Sequence, residues 1–241
     1  MALGSIIGFG LFCAASLWVG LRLLSLWWRT REMPELLAGL ALLLIGPLGF
    51  GCVVLSDVLN PHSEWAADVT WAFAAACVNL GSAACYAFSR RVFRPDDSTV
   101  RWLVATVFFA LAACWCVELW THHFDSSEPS GPATRLADWL RCGALGWAAF
   151  ESLLYAQKLK QRARIGLAEP GLRRRFILWG VAMGASAFTS MIDATTKLFV
   201  TRALDFPALT LLNACVGMLA AACLFLAFYP SRSTSSSAAR V

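Results

Sequence analysis

The chain of 241 residues is 59% hydrophobic and only 15% charged, and its mean hydropathy is +0.63. Soluble domains carry roughly 25% charged residues, and the apolar residues here lie in long runs, so a soluble globular fold is excluded. The ordinary content of 17 Gly and 9 Pro also excludes a collagen-like or disordered chain. The composition therefore predicts an all-α, polytopic integral membrane protein.

Seven segments of the chain are long and apolar enough to cross a bilayer as helices. A hydrocarbon core about 30 Å thick needs roughly 20 residues of helix, and nearly all prolines fall between such segments or at their ends. Pro47 is the exception, and it should kink the second helix because it donates no backbone hydrogen bond. One membrane domain of residues 1–230 is predicted, with helices at about 4–28, 35–58, 65–88, 100–121, 134–157, 175–199 and 207–229.

Lysine and arginine residues are concentrated on alternate connections between these helices, and this bias predicts the orientation. Cytoplasmic loops of membrane proteins are enriched in basic residues, which places the N-terminus outside and the C-terminus in the cytoplasm. Residues 231–241 then form a short polar cytoplasmic tail, and the lack of a basic segment before the first helix predicts no cleaved signal peptide. Fifteen of the 20 basic residues lie on the predicted inner side: Arg29, Arg31, Arg90, Arg91, Arg94, Arg101, Lys158, Lys160, Arg162, Arg164, Arg173, Arg174, Arg175, Arg232 and Arg240.

These features indicate a multi-pass protein of the plasma membrane, with a bacterial inner membrane favoured. The net charge of +5 arises from loops on one side of the membrane, so it predicts contact with lipid headgroups and no nucleic-acid partner. The basic inner loops suit a cytoplasmic protein partner, because the tail is too short to form an effector domain. The lipid bilayer is the main predicted partner, and the sequence leaves the oligomeric state open.

Polar and ionisable residues within the predicted helices are the candidate functional residues. Such residues usually face the interior of a helix bundle or a water-filled cavity, because they are costly in lipid. Most of them fall in the outer half of the membrane and repeat with helical spacing, which predicts an outward-facing polar cavity that binds or senses a small ligand. The candidate ligand-binding residues are Asp68, Asn79, Glu118, His122, Asp138, Arg141, Asp193, Lys197 and Asn213.

An alternative interpretation is that these charges only hold the helices together. Asp138 and Arg141 share a helix face, as do Asp193 and Lys197, so each couple has the spacing of an ion pair. Glu151 lies nearer the inner side, where we expect it to pair with a basic residue of the inner loops or to carry a proton.

Two other function classes remain open. Helices one to three and five to seven could form two like-oriented triplets, since each second helix ends outward with an aspartate, Asp57 or Asp193. That plan is typical of small solute carriers. A metal-dependent membrane hydrolase is less favoured, because only Glu118 and His122 have suitable spacing and a metal site needs three or four ligands. We therefore expect a non-enzymatic protein with no catalytic residue, no bound metal and no cofactor.

The orientation has a direct test, because it places residues 122–134 outside the cell and residues 158–174 inside. The variants Ser127→Cys and Ala168→Cys, in a background depleted of cysteine, report each side through a thiol reagent that cannot cross the membrane. In intact cells we expect Ser127→Cys to be labelled and Ala168→Cys to be protected until the membrane is permeabilised. Labelling of Ala168→Cys alone would overturn the orientation.

Overall fold

A computed structural model describes residues 3–121, 131–164, 171–199 and 207–228. Every regular element within these ranges is a helix, so the predicted all-α fold is confirmed there. The predicted tail, residues 231–241, lies outside the described residues. The elements are α1 (Leu3–Thr30), α2 (Met33–Leu43), a π-helical segment (Leu44–Phe50), α3 (Gly51–Leu59), α4 (Glu64–Phe93), α5 (Ser98–Thr121), α6 (Pro132–Arg164), α7 (Leu172–Phe199) and α8 (Pro207–Phe228).

Six helical segments in the described part of the chain are long and apolar enough to cross a membrane. One of them is the continuous stretch Met33–Leu59, which contains α2, the π-helical segment and α3. The fifth predicted span, α6, is not among the six, because charged and polar residues such as Asp138, Arg141 and Glu151 interrupt its apolar sequence. The fold is therefore that of a multi-pass helical membrane protein, with six spans supported by length and composition.

Pro47, where the sequence predicts a kink, lies inside the π-helical segment. Proline has no backbone N–H and its ring collides with the preceding turn of an α-helix, and a wider π turn relieves this conflict locally. Gly46 and Gly49 flank the proline and bring the neighbouring helices close. A methyl group on Gly46 would lie 2.6 Å from Ser16 Cβ of α1, and one on Gly49 would lie 2.5 Å from Val78 Cγ2 of α4.

Six of the helical segments are arranged in a ring, and α5 lies outside it. Around the ring, α1 contacts α2, the stretch from α2 to α3 contacts α4, α4 contacts α6, α6 contacts α7, α7 contacts α8, and α8 returns to α1. The helix α5 packs in the groove between α4 and α6. The ring thus joins two triplets of consecutive helices, with α5 as the outer helix between them.

The helices have two distinct ends, which we name the basic end and the acidic end. At the basic end α1, α4, α6 and α8 finish and α2, α5 and α7 begin. The ring of Tyr155 on α6 contacts that of Phe93 on α4 at a centroid distance of 5.7 Å and that of Phe176 on α7 at 4.8 Å. Arg22 of α1 donates a hydrogen bond to the carbonyl oxygen of Phe228 on α8. These contacts join α6 to α4 and α7, and α1 to α8, near the basic end.

The largest group of buried apolar side chains lies in the half of the ring nearer the basic end. Small residues predominate in it on α6, α7 and α8, and they allow close packing of helices in a membrane. The ring of Trp179 contacts those of Phe88 and Phe228 at centroid distances of 5.6 and 5.9 Å. The group consists of Val19, Leu23, Ala38, Ala41, Leu42, Cys85, Tyr86, Phe88, Ala144, Ala148, Ala149, Trp179, Ala182, Met183, Ala220, Cys223 and Leu224.

The closure of the ring depends on a close approach of α1 and α8 at Gly8. A methyl group added to Gly8 would lie 2.5 Å from the carbonyl oxygen of Ala214 and 2.8 Å from its Cα. Since these are backbone atoms, the two helices must move apart to admit it. Gly10, on the same helix, has no heavy atom within 4 Å of the corresponding position.

We therefore expect Gly8→Ala to lower the free energy of unfolding by about 1–3 kcal/mol, the usual cost of overpacking. Gly10→Ala, the matched control, should be neutral or stabilising by up to about 1 kcal/mol, because alanine favours helix over glycine. Thermal unfolding of both variants in detergent measures the difference. Equal midpoints for the two variants would contradict the close approach of α1 and α8.

Candidate functional site

Four of the predicted site residues meet where α4, α5 and α6 adjoin. Asn79 lies in the middle of α4, Glu118 in the last turn of α5, and Asp138 and Arg141 one turn apart on α6. We call Asn79, Glu118, Asp138 and Arg141 the polar cluster. It is located on the acidic-end side of the apolar core, in the half of the molecule where the sequence predicts the ligand site.

Arg141 connects the members of the polar cluster by hydrogen bonds. Its Nη1 donates to Asp138 Oδ1 at 2.9 Å and its Nε donates to Asn79 Oδ1 at 2.8 Å. The side chains of Arg141 and Asp138 are 16% and 13% exposed. A long side chain on a helix points toward the N-terminal turn, which explains why Arg141 reaches Asp138 and then α4. The ion pair that the sequence predicts between Asp138 and Arg141 is thus present and also ties α6 to α4.

Asn79 in turn connects α4 to α5. Its Nδ2 donates to the carbonyl oxygen of Leu111 at 3.4 Å. One turn further toward the acidic end, Trp115 Nε1 donates to the carbonyl oxygen of Ala72 at 3.1 Å. Side-chain to backbone bonds of this kind are favoured between membrane helices, since a polar group facing lipid has no other partner.

Glu118 is the member of the polar cluster whose side chain most lacks hydrogen-bond partners. The residue is 1% exposed. The Thr134 side chain lies beside its carboxylate, yet no donor in the described part of the chain makes a hydrogen bond of normal geometry to either oxygen. The Nη2 atom of Arg141 is also buried and lacks an acceptor among the described residues. A buried polar group without a partner costs about 1–3 kcal/mol, and more when charged.

The other predicted site residues occupy different places. Asp68 and Asp193 are half-buried on α4 and α7, whereas Asn213 is exposed on α8, which packs against α1 and α7. His122 and the side chain of Lys197 lie outside the described residues. The proposed pairing of Asp193 with Lys197 therefore stays a prediction, as does the role of His122.

Sequence reasoning missed Thr134, which belongs to the first turn of α6. Its position one turn before Asp138 is the signal that could have found it, because residues four apart share a helix face. On α4 the helical spacing of the polar residues was a better guide. Asn79, Ser82 and Tyr86 are all buried, and the Tyr86 hydroxyl donates to the carbonyl oxygen of Leu140 at 2.9 Å.

Glu151 forms a separate polar link nearer the basic end. Its Oε1 accepts from Arg94 Nε at 2.7 Å and from Trp147 Nε1 at 3.2 Å. The glutamate side chain is 8% exposed and that of Arg94 is 46% exposed, so the pair spans the boundary between the interior and the surface. The sequence-based expectation that Glu151 pairs with a basic residue of the connecting loops is confirmed.

The described residues include no group of three or more His, Cys, Asp or Glu side chains close enough to hold a metal ion. Comparison of the chain with protein-family models, with curated proteins and with solved structures finds no match. The polar cluster must therefore be interpreted from its own geometry.

The ion pair within the cluster leads to a stability prediction. Removing one partner of a buried pair leaves a lone charge at a cost of about 3–5 kcal/mol, whereas removing both is often nearly neutral. We expect Arg141→Met to lower the thermal midpoint in detergent more than the double variant Arg141→Met with Asp138→Asn. Arg91→Met, at an exposed position, is the control for loss of a positive charge. A double variant as unstable as the sum of its singles would show that the two side chains do not stabilise each other.

Proposed function

We propose that the protein is a non-enzymatic, seven-helix protein of the plasma membrane that binds a small cationic solute, with Glu118 as the anchor. The observation that carries the proposal is the buried carboxylate of Glu118, which lies beside the Thr134 side chain but makes no hydrogen bond of normal geometry to any described residue. Ionisable side chains inside a membrane are costly and mark functional sites more often than other residues do.

The charges around Glu118 favour a cationic ligand. The charged groups that act on its carboxylate are those of Arg141 and Asp138, and these two are bonded to each other at 2.9 Å. An ammonium group placed beside Glu118 would supply the missing donors to both carboxylate oxygens. The unsatisfied Nη2 of Arg141 would donate a hydrogen bond to an oxygen atom of the same ligand. The preferred class is therefore a small ammonium compound that carries a neighbouring hydroxyl or carboxylate.

The proposed orientation gives this ligand access from outside. The positive-inside rule assigns the basic end to the cytoplasm, so the polar cluster falls in the outer half of the membrane. The apolar core, which lies toward the basic end, would close the ring on the inner side. The exposed arginines of the basic end, such as Arg91, Arg173 and Arg174, would then be available to bind a cytoplasmic partner protein.

A seventh span is supported by the packing of α6. Tyr86 and Cys85 of α4 contact Leu140, Gly143 and Ala144 of α6, and the later residues of both helices meet at the basic end. The two helices thus run side by side in the same direction. A helix that accompanies a spanning helix over this length also crosses the membrane, with its charges turned toward α4 and α5.

A small solute carrier is the second candidate, and the ring arrangement favours it. The stretch α1–α4 and the stretch α6–α8 each contribute three neighbouring segments, and they meet at the α4–α6 and α8–α1 contacts. Two like-oriented triplets joined by an extra helix are the plan of carriers whose substrate lies between the repeats. In this reading α5 is the linking helix.

Ligand-induced stabilisation tests the proposed function. Purified protein is heated in detergent with ethanolamine, choline or lysine, and with ethylene glycol as a neutral compound. A ligand at 100 times its Kd stabilises a protein by about 2.7 kcal/mol, which gives a measurable rise of the thermal midpoint. We expect an ammonium compound to stabilise the wild-type protein and the exposed-site control Glu64→Gln, but to have no effect on Glu118→Gln.

Two outcomes would contradict this proposal: no ammonium compound stabilises the wild-type protein, or Glu118→Gln responds as the wild-type protein does. A compound that binds can then be used in radiolabelled form with proteoliposomes. Accumulation inside the vesicles would identify a carrier, and saturable binding without uptake would identify a receptor-like protein.

A further inference from the structure

An open groove runs between α4 and α5 on the outside of the ring. Its volume is about 440 Å³, within the range of about 300–1,000 Å³ found for small-molecule sites. Alanines at 83, 84 and 87 of α4 and at 105 of α5 leave the space, and the groove is apolar except for Arg90 and Arg101. Because α5 lies outside the ring, the groove faces the surroundings of the protein and not its interior.

The length of the groove matches one leaflet of a bilayer. Its lining on α4 extends from Leu80 to Arg90, which is about 15 Å at the 1.5 Å rise of an α-helix. The hydrocarbon core of a bilayer is about 30 Å thick, so each leaflet contributes about half of this. Both arginines lie at the basic end of the groove, where the headgroup region of that leaflet would begin.

The two arginines are not neutralised by the acidic residues nearby. Arg90 Nε is buried and has no acceptor in the described ranges, and Arg101 is exposed on the first turns of α5. Asp97 Oδ1 accepts from the backbone nitrogens of Thr99 and Val100 at 2.9 and 3.2 Å, so its charge is directed at the start of α5. Of the other carboxylates at this end, Glu151 is bonded to Arg94 and Glu35 to Thr30, and Asp96 and Glu32 are exposed.

We propose that this groove binds one phospholipid with an anionic headgroup. One of its acyl chains lies along the alanines between α4 and α5, and its phosphate pairs with the guanidinium groups of Arg90 and Arg101. Arginine is well suited to phosphate because its planar fork donates two parallel hydrogen bonds. Basic pockets between membrane helices are a known mode of anionic lipid recognition. This site is separate from the polar cluster and does not depend on the proposed function.

Retention of lipid by the purified protein tests the proposal. The protein in mixed micelles is titrated with phosphatidylglycerol or with phosphatidylcholine of the same acyl chains, and bound lipid is counted by native mass spectrometry. We expect one phosphatidylglycerol to be retained in preference to phosphatidylcholine. Combining Arg90→Gln with Arg101→Gln should weaken this binding roughly thirtyfold, from the usual contribution of a basic residue near an anionic lipid.

The control combines Arg91→Gln with Arg173→Gln, which removes the same charge from exposed positions outside the groove and should weaken binding far less. Arg101→Gln alone is the safeguard against misfolding, because the residue is exposed, and about a fivefold loss is expected. Unchanged elution volume and thermal midpoint without lipid verify folding. A loss no larger than that of the control, or equal retention of both lipids by the wild-type protein, would overturn the proposal.

A second pair of substitutions distinguishes a lipid from a free phosphate group. Ala87→Leu with Ala105→Leu fills the groove and leaves both arginines in place. It should weaken binding of phosphatidylglycerol but not of glycerol phosphate, which has no acyl chain. If phosphatidylglycerol binds the filled variant as well as the wild-type protein, the groove does not hold an acyl chain and the lipid site is wrong.

Discussion

Close contact between helix backbones is the condition on which the ring depends. Apolar side chains gain nothing by leaving lipid for a protein interior, so membrane helices associate through tight packing and polar contacts. Gly8 against Ala214 joins α1 to α8, and Gly46 against Ser16 joins the π-helical segment to α1. A methyl group at either glycine would lie within 2.6 Å of the facing helix. The wide π turn at Pro47 contributes to this close packing, because it contains the glycines that face α1 and α4.

The polar cluster determines how the packed helices are rotated against one another. Close-packed small residues fix the distance between helices, but they fix the rotation and the axial position of a helix only weakly. Hydrogen bonds from Arg141 to Asn79 and to Asp138 hold one rotation of α6 against α4, and Asn79 extends the link to α5. Glu118 is buried by this arrangement but takes no part in its hydrogen bonds. A hydrogen-bonded network and an unsatisfied buried carboxylate thus share one site.

The sequence predicts the helices well and their assembly only in part. Prolines and charged connections mark the helix ends, so α3 ends at Leu59 and α4 begins at Glu64, each within one residue of the predicted bound. Periodicity assigns Asn79 and Arg141 to helix faces, but it contains nothing on how one helix is rotated against another, so their contact could not be derived. The position of α5 outside the ring could not be predicted from the sequence either. A helix that is apolar on all faces between Arg101 and Glu118 is compatible with a buried position or a lipid-facing one, and only the contacts with its neighbours decide between them.

Among the described residues, two links between polar side chains join α6 to α4 and to the residue that follows it: Arg141 with Asn79, and Glu151 with Arg94. Arg141 and Glu151 are ten residues apart on α6, a distance of about 15 Å. A slide of α6 past α4 by one turn, about 5.4 Å, would break both links together, and a smaller slide would strain both. The helix α6 is therefore held against α4 at two positions along its axis. A change that breaks the link beside Glu118 would therefore also strain the link between Glu151 and Arg94, about 15 Å nearer the basic end.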